Sequence, residues 1–342
     1  MNLLPNLLDS LALNDPLAYL VVFLGVSLLM LWRLEAMLDS GLEGTALGTL
    51  LLPYCSGLGN LIFVALMVPK FGAASEVLTN CLVNNVTNLT LLLGVPALCW
   101  GLAILPGAGG GKGGKAGGKA ARPTKGGGTE AQINRLSLLL TLTAVLFFTA
   151  AVWLLGRDGK LTETDGWALI GLFLFWQCVQ VFDVMKHNVR HRVSFGWKFY
   201  ADGLVVLVCA YFLFETIDWL VSWISAQRTG FISRDNLGWV TGWLMVLPNA
   251  ILALYWGWRR RADVVFSSQV GDGHICIPLC LGLFALAKPV PVPAFALNSF
   301  LLICGAAVTH MLFLALAGGL PRWAGALMCA AYGGFVYLGL AG

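Results

Sequence analysis

Three asparagines, Asn80, Asn84 and Asn88, recur every four residues in an otherwise apolar run, with Asn85 and Thr87 beside them. At 3.6 residues per turn they line one slightly drifting stripe of a helix. An asparagine carbonyl is a neutral oxygen ligand, acceptable to Na+ or Ca2+ but weaker than a carboxylate. Asn60 stands in the preceding apolar run, in Gly57-Leu58-Gly59-Asn60, with Ser56 just before that motif. The later part of the chain carries Val246-Leu247-Pro248-Asn249 and then Ser268-Gln269-Val270-Gly271-Asp272-Gly273-His274. A carboxylate such as Asp272 within a membrane span marks a cation or proton site, and His274 can carry a proton. Plainer uses compete with these. A lone membrane asparagine bonds across to a neighbouring helix. Asp272 and His274 at a helix entrance would be wetted, and His274 can donate to a backbone carbonyl. Three asparagines on one stripe, with Asn60 nearby, favour a site lining.

The elements that must position these residues follow from composition. Of 342 residues, 58% are hydrophobic and 11% charged, with a mean hydropathy of +0.81. A water-soluble domain carries roughly 25% charged residues, so this composition belongs to a polytopic membrane protein. A span needs about 20 mostly apolar residues. Ten such runs lie near 17–34, 44–68, 77–105, 136–155, 166–184, 200–224, 236–258, 263–287, 293–317 and 323–340. The fold class is therefore all-α, with ten transmembrane helices. The N-terminal stretch lacks a basic region, so the first run is expected to stay as a helix rather than leave as a signal peptide.

Charge sets the orientation. Fifteen of the twenty-one Lys and Arg fall in odd-numbered loops, among them Arg33, Lys186, Arg190, Arg192 and Arg259 to Arg261. That bias puts the odd loops in the cytoplasm and both termini outside. Five spans per half then give the halves opposite orientations, two inverted five-helix repeats of the kind secondary transporters use. The halves also match in sequence. Asn84 leads to Asp272 and Gly94 to Gly282 by the same step in residue number, and Asn60 leads to Asn249 by a step longer by one. Residues 1–105 hold helices 1–3 and residues 106–134 a Gly/Lys-rich cytoplasmic linker. Helices 4 and 5 occupy 135–185, a basic cytoplasmic loop 186–199, and helices 6–10 the remainder, 200–342. The linker stretch 106–128 has no apolar face; it reads as a solvated tether whose lysines can touch anionic lipid. Short loops and the lack of an added regulatory domain point to a bacterial inner membrane.

Several functional classes find no support. The nine cysteines lie in or beside apolar runs and form no CxxC or Cys/His set, which suits buried small side chains. Trp32, Trp100, Trp197, Trp219, Trp258 and Trp323 flank spans as interfacial anchors would. Glu215 and Asp218 fall late in the sixth span, near the outer surface, and His310 reads as a packed, hydrogen-bonded histidine. No nucleophile elbow, metalloprotease helix or nucleotide loop is present, so the chain is not read as an enzyme. Nothing in it points to a cofactor or to nucleic acid.

The run Thr79-Asn80-Cys81-Leu82-Val83-Asn84-Asn85-Val86-Thr87-Asn88, continuing to Gly94, resembles the α-repeat of the sodium/calcium exchanger (cation/Ca2+ antiporter) superfamily. Ser267-Ser268-Gln269-Val270-Gly271-Asp272-Gly273 is its counterpart in the second half. The segments Arg157 to Gly166 and Gly230 to Arg234 are also similar to that family. The resemblance implies ten spans as two inverted halves, and alternating access around a midplane site. The family's two ion-binding glutamates fall on Asn60 and Asn249 here. Its serines of the second motif fall on Asn84 and Asp272, and its Asn or Asp one turn later falls on Asn88 and Cys276. The implied cation ligands are Asn60, Asn84, Asn88, Asn249 and Asp272, with Ser56 and Ser268 as further oxygens. Asp272, which would also be the metal ligand, and His274 are the proton-coupling candidates. The cargo would be an inorganic cation such as Na+, H+ or Ca2+. With a single carboxylate, a monovalent or proton-coupled ion suits the ligand set better than Ca2+. A divergent relative that keeps the fold but serves as a membrane scaffold or sensor is the alternative.

Overall fold

Helix accounts for nearly all of the residues described by the computed structural model, which are 3–11, 13, 15–37, 54–55, 57–69, 74–105, 127–188 and 196–341. Among them, nine helices are long and apolar enough to cross a membrane. The second expected span is described only over 54–55 and 57–69, where Leu58–Met67 is helical. Large apolar side chains such as Leu17, Phe175, Phe182, Leu207 and Leu316 are exposed, while Asn60, Asn80, Asn84, Asn88, Asp272 and His274 are buried. A polar interior under an apolar exterior is the arrangement lipid requires. The chain is a multi-pass membrane protein.

The helices are α1 (Leu3–Ser10), α2 (Pro16–Met37), α3 (Leu58–Met67), α4 (Ala74–Val86), α5 (Leu93–Trp100), α6 (Gly127–Leu155) and α7 (Glu163–Asn188). They continue as α8 (Trp197–Ala226), α9 (Leu237–Trp258), α10 (Ala262–His274), α11 (Leu281–Ala287), α12 (Ala296–Ala317) and α13 (Arg322–Ala341). Their starts are written locally. Asp15 accepts the Ala18 N–H at 2.8 Å while Pro16 opens α2, an N-cap followed by the proline a first turn tolerates. Before α7, Gly159 takes the left-handed conformation at φ +93. Asp165 then accepts both the N–H and the hydroxyl of Thr162, each at 2.7 Å, so the acidic residue reaches back to the helix start as in a capping box.

Some boundaries differ from the sequence expectation. Helix α6 begins at Gly127, so 127–134 belongs to it rather than to the linker; Glu130, Ala131 and Gln132 are good helix formers. The rest of the linker, 106–126, lies outside the described residues. Helices α7 and α8 likewise take the ends of the expected basic loop, reaching Asn188 and starting at Trp197. Trp197, Trp258 and Trp323 are exposed at helix ends, as anchors are, but Trp219 stacks on buried Tyr19 with ring centres 3.8 Å apart.

Two short π-helical segments interrupt the α-helical path. Thr87–Leu92 joins α4 to α5, and Ile275–Cys280 joins α10 to α11. The step from one to the other along the chain is the one that relates Asn84 to Asp272. In the second segment Pro278 has no N–H for the His274 carbonyl four positions back, which opens the α-helical ladder. In the first, the Thr90 hydroxyl donates to the Val86 carbonyl, also four positions back. A side chain thus takes an acceptor the backbone ladder would use. The repeat shows again in two pairs of short strands: β1 (Leu102–Ala103) with β4 (Gly319–Leu320), and β2 (Lys160–Leu161) with β3 (Val290–Pro291). The step from β1 to β3 is the one from Asn84 to Asp272. The step from β2 to β4 is shorter, by the length of the segment 106–134, which separates β1 from β2 and has no counterpart in the second half.

The described residues group into two compact units. The first comprises Met1–Asn84, Ala151–Pro248 and His274–Ala294. In it α2 runs antiparallel along α8, tied by Arg33 to Asp202 at 3.3 Å. Gly282 brings α11 onto α7, where an added Cβ would lie 3.2 Å from the Gly166 carbonyl oxygen. The second unit comprises Asn85–Ala150, Asn249–Gly273 and Phe295–Gly342. There Gly94 plays the matching part, its added Cβ falling 3.0 Å from the Gly325 carbonyl oxygen, and α5 packs on α13.

Candidate functional site

Six of the buried residues form two hydrogen-bonded triads, one in each unit. In the second unit, Asp272 near the end of α10 accepts the amide N–H groups of Asn88 and Asn249 on the same carboxylate oxygen, Oδ2. The Asn88 bond is 3.3 Å long. Asp272 is 1% exposed, Asn88 0% and Asn249 6%, so the carboxylate is deep in the protein and not at a wetted helix entrance. Asn88 lies in the first π-helical segment and Asn249 directly after Pro248 in α9. Both stand where the regular ladder is disturbed, and both aim a side chain at one acceptor.

The first unit holds the other triad. Asn84 donates its amide N–H to Asn60 Oδ1 at 3.4 Å, and the Cys276 thiol donates to Asn84 Oδ1 at 3.6 Å. All three residues are buried. Asn60 is held close to the second π-helical segment by the glycine of its motif. A Cβ on Gly57 would meet the Ile275 side chain at 2.5 Å, so any larger residue there would force Ile275 to move.

The asparagine stripe is divided in its use. Asn84 and Asn88 enter triads, whereas Asn80 donates to the Thr241 hydroxyl at 3.0 Å, the interhelical bond expected of an ordinary membrane asparagine. One turn earlier Glu76, also on the stripe, accepts the Gly238 N–H at 2.7 Å. Its carboxylate caps the start of α9 from a neighbouring helix. Gly238 and Gly242 allow this contact: added Cβ atoms there would lie 2.6 Å from Thr79 and 2.9 Å from Val83.

The remaining expected site residues go elsewhere. Ser268 donates its hydroxyl to the Val265 carbonyl at 3.1 Å and accepts from Gln269 at 2.9 Å. That satisfies the hydroxyl within its own helix. His274 accepts the Trp176 indole N–H at Nδ1, 3.3 Å away, with the rings edge to face. An Nδ1 acceptor leaves the ring proton on Nε2. His310 donates from Nε2 to the Leu89 carbonyl of the first π-helical segment at 2.7 Å, the packed role read from sequence. Ser56 lies outside the described residues. Glu76, Trp176 and Cys276 are not among the ligands expected from sequence. Of these, Cys276 stands to Asn88 as Asp272 stands to Asn84, and that repeat signal is enough to find it.

The arrangement is thus a buried carboxylate accepting two side-chain amides, beside helices interrupted by π segments and a mid-helix proline. The family model for "Sodium/calcium exchanger protein" matches residues 197–341. Solved structures of the sodium-calcium exchanger NCX_Mj share the fold along nearly the whole chain. The form soaked with 2.5 mM Na+ and 1 mM Sr2+ has a TM-score of 0.63 at 15% identity, covering 96% of each chain. The form soaked with 2.5 mM Na+ and 0.1 mM Ca2+ gives 0.63 at 16% identity, covering 95% of this chain and 97% of that one. The form with zero Na+ and Ca2+ gives 0.58 at 15%, covering 92% and 97%. No curated protein matches in sequence. That family model covers less than half of the chain, and the likeness of the whole chain to NCX_Mj is one of fold.

Proposed function

We propose that this chain is a secondary active cation antiporter in which Asp272 is the charged ligand and Asn88 and Asn249 its flanking ligands. The observation that carries the reading is the Asn88–Asp272–Asn249 triad, a carboxylate buried in a membrane span and held by two neutral amides. Intramembrane carboxylates are costly and mark ion or proton pathways. The amides turn N–H groups to the carboxylate; a half-turn of either side chain would present a carbonyl oxygen to an arriving ion. Asn60 and Asn84 supply further neutral oxygens, with Ser56 and Ser268 as outlying ones.

One carboxylate suits a monovalent ion, Na+ or a proton, better than Ca2+, and His274 follows closely in sequence as a proton-coupling group. The recurrence of π segments, strand pairs and glycine contacts at matching steps along the chain supports ten spans as two inverted five-helix halves working by alternating access. The loop charges support cytoplasmic odd loops and outer termini, and the short loops support a bacterial inner membrane. The linker lysines would rest on its anionic lipid. The test is flux in proteoliposomes under Na+, K+, H+ or Ca2+ gradients. Wild type should move at least one of these ions against a second, and Asp272→Asn should not. A wild type that moves none of them would overturn the antiporter reading in favour of a scaffold or sensor.

A further inference from the structure

Several helix ends meet at one end of the second unit. Helices α5, α9 and α12 stop there and α10 and α13 begin there, with β1 paired to β4 so that Leu102 faces Leu320. Gly257 seats α9 against α5: an added Cβ would lie 2.8 Å from Pro96 and 3.0 Å from the Trp100 ring. Arginine crowds this end, as Arg259, Arg260, Arg261 and Arg322, all exposed. Arg261 pairs with Asp263 at 3.2 Å. Among the described residues no carboxylate pairs with the other three. Arg260 donates to the Trp100 carbonyl, and the Arg322 side chain lies 4.0 Å from a Cβ added at the next residue, Gly101. Two large apolar rings flank the cluster, Trp258 at 63% and Trp323 at 64% exposure.

The backbone makes Arg260 the telling residue. The Arg261 N–H donates to the Trp256 carbonyl at 3.0 Å and the Arg260 N–H to the Gly257 carbonyl at 3.1 Å. Arg260 between them is left-handed at φ +60. This is the Schellman ending of a helix, whose left-handed position suits glycine best. Among the described residues Arg260 is the one non-glycine with positive φ. A long cationic side chain kept where glycine fits better points to a use for its charged end. Its bond to Trp100 fixes the guanidinium and leaves further N–H donors over. Arg259 lies over the Tyr255 ring at 5.9 Å and Arg261 over Trp256 at 5.8 Å, which occupies their faces and leaves their in-plane donors.

We propose that this end of the second unit is a headgroup site for an anionic phospholipid, with Arg260 and Arg322 holding the phosphate and Arg259 adding charge. Guanidinium forks match phosphate oxygens in geometry as well as charge. Basic clusters at span ends take lipid phosphates, and exposed tryptophans set such a cluster at headgroup level. The rings of Trp258 and Trp323 fit a lipid, whose acyl chains they can meet, better than a free phosphate. The site is separate from the linker lysines and independent of the ion the chain carries.

The experiment is native mass spectrometry of the full chain in detergent, titrated with phosphatidylglycerol or with phosphatidylcholine of the same acyl chains. Thermal unfolding checks each variant's fold. Wild type should hold phosphatidylglycerol about tenfold or more tighter than phosphatidylcholine. Arg260→Gly and Arg322→Gln should each weaken phosphatidylglycerol about fivefold and leave phosphatidylcholine unchanged. Arg260→Gly separates the site from a purely structural role, because glycine suits the left-handed position: the unfolding temperature should hold or rise while lipid affinity falls. Arg322→Gln keeps the idea testable if Arg260→Gly does not fold. A wild type with no preference between the two lipids overturns the site. So do folded Arg260→Gly and Arg322→Gln proteins that hold phosphatidylglycerol as wild type does. If glutamine at Lys112, Lys115, Lys119 and Lys125 then removes the preference, the linker is the lipid contact instead. Ion flux enters none of these readings, so a failure here leaves the antiporter reading standing.

Discussion

The triad around Asp272 and the triad around Asn84 have the same partners by repeat position, yet the flanking asparagines face opposite ways. Asn249 gives its N–H to Asp272, whereas Asn60 gives its carbonyl oxygen to the Asn84 N–H. The central residue decides. A carboxylate only accepts, so both neighbours must donate; a carboxamide both donates and accepts, so one neighbour can reverse. The bonds to the carboxylate are charge-assisted and so the stronger kind, while those of the other triad join neutral groups. One charge thus sets the side-chain orientation around it, and with it which atoms a cargo would meet.

If the charged triad is the binding centre, Asp272→Asn has the largest effect. It makes the two centres chemically alike. Losing a carboxylate contact in a dehydrated site costs several kcal/mol, so cation affinity should fall about 100-fold or more, read as binding or flux. Moving the charge is the sharper test. Asp272→Asn combined with Asn84→Asp keeps one carboxylate but seats it in the copy with a thiol in place of one amide. Binding should return to within about tenfold of wild type, since one charge-assisted donor has been weakened. A double variant as inactive as Asp272→Asn would show that the two copies are not interchangeable.

The flanking residues separate the triads further. Removing a donor to a charged acceptor costs about 1.5–3 kcal/mol, and a bond between neutral groups about 0.5–1.5 kcal/mol. Asn249→Ala should therefore weaken cation binding about tenfold or more, and Asn60→Ala by about two- to tenfold. Isothermal titration with the transported ion measures both. Equal losses at the two positions would erase the distinction between the centres.

Much of this is legible in the sequence, for identifiable reasons. The Asn80, Asn84, Asn88 stripe follows from helical period alone, and the repeat ties its second copy to Asp272. The π segments are not legible, because they depend on what takes the Val86 and His274 carbonyls. Pro278 shows one of these in the sequence; the Thr90 hydroxyl shows the other only once folded. Cys276 is located by the repeat, but its hydrogen bond to Asn84 is not legible, because a thiol in an apolar run reads as a small hydrophobe. The bonding of Ser268 is not legible either: a helical serine has its own backbone carbonyl within reach, and Ser268 uses that of Val265. Glu76 is invisible because its partner, the Gly238 N–H, is a backbone group at another helix's start.

Asn80 supplies the smallest expected effect and the cleanest control. It shares a helix face with Asn84 and Asn88, is completely buried, and on sequence grounds is their equal. Its amide, however, is spent on Thr241, whose own hydroxyl donates to the Leu237 carbonyl. That chain pins α4 to α9 and involves neither triad centre. Replacing Asn80 with valine removes one neutral bond, so thermal stability should drop by about 1 kcal/mol. Cation affinity should stay within about twofold of wild type, because no ligand is lost. If Asn80→Val instead weakened binding as much as Asn249→Ala, the stripe as a whole would be the site, and the division into a charged triad, a neutral triad and a packing bond would fail.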